Sequence, residues 1–270
     1  MADESAPTTK GKIMKKTPRH ILITGAAGAI GSALTYVFSQ QFPDAHFTLV
    51  DINEAALIEK VRVLGKRADY VLWDLFQPES LAEGWQQVIT KHGAVDILIN
   101  CAGIMDIISF QGTGWNLGWK LLAVNLISPL RLMDLALADM KTGGCIINIA
   151  SMAGRVPIAG CAYYSGAKAG LAMASEIAHN ELRQRGIHVV TVYPGPVHSG
   201  LEAHARSQVK QGLVSRLIPT GEPNIIAQEI INAYLHDKPR VIYPLPFAVA
   251  HYFNSVSQWV VAKASPQPLR

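Results

Sequence analysis

Seven short runs of apolar, strand-favouring residues punctuate the chain: HILIT at 20–24, HFTLV at 46–50, YVLW at 70–73, VDILIN at 95–100, CIINIA at 145–150, IHVVTVY at 187–193 and RVIY at 240–243. A strand wetted on one face alternates apolar with polar residues. These runs are close to continuously apolar, the pattern of central parallel strands covered on both faces. Between them lie helical stretches near 29–41, 53–65, 78–92, 115–140, 162–185 and 223–236. Parallel neighbours need right-handed crossovers, and helices in those crossovers cover both sides of the sheet. The expectation is one α/β domain over 19–243, a doubly wound parallel sheet with helices on both faces. Its ligand is expected beyond the carboxyl ends of the strands.

The flanks and the composition exclude other classes. At 49% hydrophobic and 16% charged residues, 270 residues bury a large core, and no Pro/Gly/Ser-rich linker divides them. The net charge of +4 owes much to KGKIMKKTPRH near the N-terminus rather than to a helix or strand, so nucleic acid is not an expected partner. Residues 1–18 contain no apolar signal core and read as a flexible leader. Cys101, Cys145 and Cys161 show no CxxC or Cys/His ligand spacing. They read as reduced core thiols in a cytoplasmic protein, and no metal is expected. Residues 241–262 lack Asp, Glu, Lys and Arg, but two prolines interrupt them. Val249, Tyr252, Phe253, Val256, Trp259 and Val260 follow helical spacing, so 244–270 is expected to be an amphipathic helix and tail. That helix would pack on the protein itself, on a second subunit or on a membrane surface.

A Gly-rich turn, LITGAAGAIGSAL at 22–34, joins the first strand to the first helix. There backbone N–H groups at a helix N-terminus can meet a pyrophosphate, and Gly25, Gly28 and Gly31 permit its close approach. Asp51, at the end of the second strand, follows Gly31 by twenty residues and can accept hydrogen bonds from ribose hydroxyls. Its charge would repel a 2′-phosphate, and the turn offers no Arg or Lys, so NAD(H) is favoured over NADP(H). Asp74, after the third strand, either meets the adenine amino group or caps a helix.

CAYYSGAKAG, at 161–170, sets Tyr163 and Tyr164 ahead of Lys168. Residues four apart share a helix face and residues five apart diverge, so Tyr164 is the tyrosine that faces Lys168. A nearby cation favours the phenolate, and such a pair can handle a proton.

Six motifs in order resemble the short-chain dehydrogenase/reductase family: TGAAGAIG at 24–31, NCAG at 100–103, VNLISPL with Asn125, NIASMAG with Ser151, YSGAK with Tyr164 and Lys168, and YPGPVHSGL at 193–201. The likeness covers about residues 19–243 and implies a Rossmann-type domain. It implies that Tyr164 is the acid–base residue, that Lys168 lowers the tyrosine pKa and holds the nicotinamide ribose, and that Ser151 holds the substrate oxygen. Asn125 would help to hold a water that relays protons to the lysine. Ala29, Ile30, Ile52 and Leu75 would join the glycines, Asp51 and Asp74 around the nucleotide. Asn100, Ala102 and Gly103 would form a turn beside the cofactor, with Pro194, Gly195, Val197 and Ser199 at the nicotinamide.

The turn reads TGxxGxxG with Ala29 in the middle, a spacing that resembles the epimerase-like branch, and Cys101 replaces a usual Asn. An epimerase- or dehydratase-like enzyme with tightly bound NAD, or a non-catalytic nucleotide-binding regulator, are the alternatives to an oxidoreductase. Met152, Val156, Ile158 and Leu201 would give apolar walls suited to a lipophilic alcohol or ketone, with a lid after Pro194. His204, Arg206, Lys210 and Arg216 read as a solvated helix face rather than a set that recognises an acidic group. Small residues in SGAKAGLAMASEIA fit a homodimer or homotetramer.

Overall fold

In the computed structural model, residues 17–209, 219–264 and 268–269 are described. Residues 1–16 of the expected leader, and Lys210 and Arg216, lie outside them. Seven strands, β1 (His20–Thr24), β2 (His46–Asp51), β3 (Ala68–Leu72), β4 (Ile97–Asn100), β5 (Cys145–Ile149), β6 (His188–Pro194) and β7 (Arg240–Tyr243), form one sheet. Its order is β3-β2-β1-β4-β5-β6-β7, every pair parallel. The order reverses between β1 and β4, where Thr24 lies opposite Asn100. This is the switch point at which doubly wound sheets bind ligands.

Alternate residues of each strand serve opposite faces. Ile21, Ile23, Ile97, Ile99 and Ile147 pack with Leu34, Phe38, Leu57 and Tyr234 from α1 (Ala29–Gln41), α2 (Glu54–Leu64) and α8 (Pro223–Leu235). Leu22, Leu98 and Ile146 pack with Trp85, Leu132 and Leu182 from α3 (Leu81–His92), α5 (Ser128–Asp139) and α6 (Ala162–Leu182). Full burial of one such aliphatic side chain contributes about 1.5–3 kcal/mol, so both faces are needed to hold the sheet.

Three boundaries depart from expectation. β3 starts at Ala68, two residues early, because the polar Asp69 hides its beginning. The single helix expected over 115–140 comprises α4 (Phe110–Leu122), a π-helical turn over Ala123–Ile127, and α5. Pro129 has no N–H to bond the carbonyl of Asn125, and a π turn accommodates that loss. The C-terminal helix is also divided, into α9 (Phe247–Tyr252) and α10 (Asn254–Ala264). α9 packs on the protein itself: the Phe247 ring lies against Gly195, and His251 is buried edge-on to Tyr193 at 4.7 Å.

Candidate active site

The nucleotide end is built by close backbone approach. Gly25 has φ +68°, and a Cβ there would meet the Ala102 backbone at 2.7 Å; one on Gly31 would lie 2.0 Å from the Gly25 carbonyl oxygen. α1 therefore starts tight against β1 and β4, with Gly28 as its N-cap and no side chain covering its first-turn amides. Thr24 locks the neighbouring turn, its hydroxyl accepting from the amides of Cys101 (3.1 Å) and Ala102 (3.2 Å). Asp51 is held by backbone donors: Oδ2 accepts from Ala27 at 2.9 Å, and Oδ1 from Ile52 at 2.8 Å and Asn53 at 3.1 Å. Ile52 beside it is 74% exposed, an apolar surface next to the turn. Asp74 Oδ1 accepts from the Phe76 amide at 3.0 Å, whereas the following 3₁₀ turn starts at Pro78, so Asp74 caps no helix. Leu75 is buried, and its carbonyl accepts from Ser128.

The catalytic candidates converge at the carboxyl ends of β4 and β5. Ser151 follows β5 and accepts from the Ala153 amide at 3.1 Å; its hydroxyl lies close enough to the Tyr164 phenol to favour the phenolate. Tyr164 and Lys168 lie one turn apart on α6, both buried. Tyr163 turns away and stacks on Phe110 with ring centroids 5.6 Å apart. Asn125, in the π turn, donates to the carbonyls of Ile104 (2.8 Å) and Leu121 (2.9 Å). Its buried Oδ1 has no hydrogen-bond partner among the described residues. A Cβ on Gly103 would fall 3.0 Å from that oxygen and 3.5 Å from Lys168 Nζ, so Gly103 keeps the space between them clear.

The electrostatics differ from the expectation that Lys168 lowers the tyrosine pKa. Burial pushes the Tyr164 phenol up to about 12, with the nearby Ser151 hydroxyl opposing it. Burial brings Lys168 down to about 8. Lys168 Nζ donates to the Ile149 carbonyl at 2.7 Å, and desolvation of the phenol outweighs any help from the ammonium.

An apolar cavity of about 310 Å³ lies beside the site, lined by Ile104, Met105, Asp106, Leu117, Lys120, Leu201 and His204. Of the walls expected, Leu201 lines it. Met152 instead packs with Tyr193 and Ala172, and Ile158 against Ile107 and Cys161. α7 (Gly200–Ser207) closes one side: His204 Nε2 is 2.9 Å from Asp106 Oδ1, and Gln208 also donates to Asp106. His204 and Arg206 are thus engaged rather than merely solvated, because Arg206 pairs with Glu202 and donates to Thr220.

Three residues placed beside the cofactor have structural duties. The Asn100 amide donates to Asn148 Oδ1 at 2.8 Å inside the core, and Asn148 in turn donates to Ser175. Ser199 caps α7 by accepting from the Glu202 amide at 3.1 Å. Gly195 lies under Phe247, while Pro194 and Val197 are buried at the end of β6 and just beyond it. Thr24, Asn148 and Ser175 were missed. The Thr immediately before the first glycine was the one available signal for Thr24, and none marked the buried Asn–Asn–Ser chain.

The short chain dehydrogenase family profile matches residues 19–210. The probable oxidoreductase EphD of Mycobacterium tuberculosis is 27% identical over 93% of this chain, which spans 44% of that relative's length. LinX of Sphingobium indicum, a 2,5-dichloro-2,5-cyclohexadiene-1,4-diol dehydrogenase, is 30% identical over 74% of this chain and 81% of its own. A short-chain dehydrogenase structure from Streptomyces avermitilis superposes with TM-score 0.78 at 24% identity, over 93% of this chain and 97% of its own. One from Sphingobium yanoikuyae, in complex with NADPH, gives 0.74 at 21% identity, over 91% and 96%. By its fold, its ordered motifs and these matches, the chain belongs to the short-chain dehydrogenase/reductase family.

Proposed function

We propose that the protein is an NAD(H)-dependent oxidoreductase that interconverts a secondary alcohol and a ketone of lipophilic character, with Tyr164 as general acid and base. The observation that carries this reading is the burial of Ser151, Tyr164 and Lys168 together beyond the carboxyl end of β5, with Ser151 close to the Tyr164 phenol, Lys168 one turn further along α6 and an apolar cavity beside them.

The cradle of Gly25 and Gly31, the free start of α1, and Asp51 fit a nicotinamide dinucleotide. When bound, that cofactor supplies or accepts the hydride. Tyr164 gives its proton to the carbonyl oxygen in reduction and takes it from the hydroxyl in oxidation. Ser151 orients the same oxygen and steadies the charge that develops on it. Lys168 and Asn125 form a polar path from the phenol toward Ile104, and Ile104, Met105, Leu117 and Leu201 exclude water from the reacting carbon. The Asp51 charge disfavours a 2′-phosphate and supports NAD(H), although Lys60 lies close enough to feel that carboxylate. A homo-oligomer built on α6 is part of the reading, supported by Met173 and Ile177, one turn apart and 57% and 49% exposed. Sedimentation as a monomer at micromolar concentration would remove it.

The experiment is a fluorescence titration with NADH and NADPH, followed by a panel of hydrophobic ketones monitored at the reduced-nicotinamide band. Tighter NADH binding, with oxidation by one ketone class, is the expected result. Preference for NADPH overturns the role given to Asp51. Conversion of substrate with no release of free NADH favours the bound-cofactor, epimerase-like alternative that the TGxxGxxG spacing suggests.

A further inference from the structure

At the edge of the sheet opposite the catalytic residues, His46 begins β2, Asp69 lies second in β3, and His92 ends α3. His92 Nε2 is 2.8 Å from Asp69 Oδ2, and His46 Nε2 is 4.0 Å from the same oxygen. All three ligand atoms fall within 4.8 Å of one another. The two imidazoles are stacked, their centroids 3.8 Å apart at 18°. His46 Nε2 is shut off from solvent and has no hydrogen-bond partner among the described residues. A buried polar atom left unmatched calls for an explanation.

Behind the pair, His20 is fully engaged, with Nδ1 2.9 Å from the Gly93 carbonyl and Nε2 2.9 Å from Thr48 Oγ1. Its ring packs edge-on at 5.7 Å to both His46 and His92 without competing as a ligand.

We propose that His46, Asp69 and His92 bind a zinc-type divalent transition-metal ion, at a site separate from the oxidoreductase centre. Two imidazole nitrogens and one carboxylate suit Zn²⁺ or Co²⁺, whereas Mg²⁺ and Ca²⁺ prefer oxygen throughout. A tetrahedral ion with ligands at about 2.0–2.1 Å spaces them about 3.3–3.4 Å apart. The observed 2.8 and 4.0 Å bracket that spacing, and the near-parallel rings unstack as the ion enters, because both nitrogen lone pairs lie in the ring planes and must converge on it. The side chains of His92, His46 and Asp69 are 14%, 21% and 38% exposed, so the ion would enter from the Asp69 side and take a water as its fourth ligand. Lys91 is the competitor: its Nζ lies 2.6 Å from Asp69 Oδ2, but the side chain is 66% exposed and free to swing into solvent. A bound ion would tie the beginnings of β2 and β3 to the end of α3.

The test uses the full chain without an affinity tag, stripped with chelator, then titrated with Zn²⁺ by calorimetry and with Co²⁺ by visible absorption. One ion per chain is expected at this site, Mg²⁺ giving no signal, with a rise in Tm at saturation. His92→Gln and Asp69→Asn should each weaken Zn²⁺ binding by about 100-fold or more, at or beyond the loss expected for an outer partner. Lys91→Ala leaves every ligand in place and should strengthen binding. Absence of stoichiometric binding, or binding unchanged in both ligand variants, overturns the proposal. So does a Lys91→Ala protein that loses stability with no gain in affinity, the behaviour of a plain ion-pair cluster.

Discussion

Lys168 Nζ donates to the carbonyl of Ile149 at 2.7 Å, so the lysine of the candidate Tyr164–Lys168 pair is anchored to the end of β5 rather than directed wholly at Tyr164. Burial holds its pKa near 8 instead of 10.5, which penalises the charged form in the folded protein. Between those two values the unfolded chain binds the extra proton, so stability rises with pH. The penalty is present below about pH 8 and is relieved as pH climbs toward 10.5. Relative to Lys168→Met, the wild type should gain on the order of 3 kcal/mol across that window in denaturant melts. Tyr164, raised to about 12, acts in the opposite sense above pH 10, where the unfolded chain ionises first.

Gly31→Ala should disable the nucleotide turn, because the new Cβ would lie 2.0 Å from the Gly25 carbonyl oxygen and no flexible side chain is there to yield. At Gly28 the same atom would sit 3.3 Å from that oxygen, a tight contact that needs a shift of only a few tenths of an ångström. Fluorescence titration should give a loss of NADH affinity of at least about tenfold for Gly31→Ala, equivalent to about 1.4 kcal/mol. Gly28→Ala should lose less affinity than Gly31→Ala.

Asp51→Asn removes the charge and one of three backbone acceptor contacts, that to Ala27. The ratio of NADPH to NADH affinity should rise, and stability should fall by about 1–2 kcal/mol as a part-buried amide loses its charged partner. A ratio that does not move would place cofactor choice elsewhere, with Lys60 the first residue to examine.

Glu176 on α6 receives both guanidinium contacts of Arg240, at 2.7 and 2.9 Å, and the Tyr193 hydroxyl at 2.6 Å. Arg240 draws its pKa below 4.5. The stabilisation is therefore present above about pH 4.5 and lost as pH falls through the lower folded value. The pair is partly exposed, so Glu176→Gln should cost about 0.5–1 kcal/mol at neutral pH, and the difference should vanish in acid melts.

Much of the architecture was legible because apolar runs report burial directly: β1, β7 and the first helix fall where the sequence puts them. What the sequence hides is backbone. Hydrophobic periodicity runs unbroken through residues 115–140, but the π turn before Pro129 divides the run, and Gly114 at φ +64° breaks α4 just ahead of it. The divergence of Tyr163 from Tyr164 followed from helix geometry. The hold of Ile149 on Lys168 did not, because every residue carries the same carbonyl. The polar chain from Asn100 through Asn148 to Ser175, and the convergence of His46, Asp69 and His92, join residues far apart in sequence. Strand pairing and the packing of α3 and α6 on the sheet bring them together.

The most direct measurement is the rate of hydride transfer in wild type and Tyr164→Phe, each saturated with cofactor and given the ketone identified by the panel. The account predicts unchanged cofactor affinity and a rate lower by about 10²–10⁴-fold, the usual contribution of a positioned proton donor. An unchanged rate would contradict it and take the proton away from Tyr164.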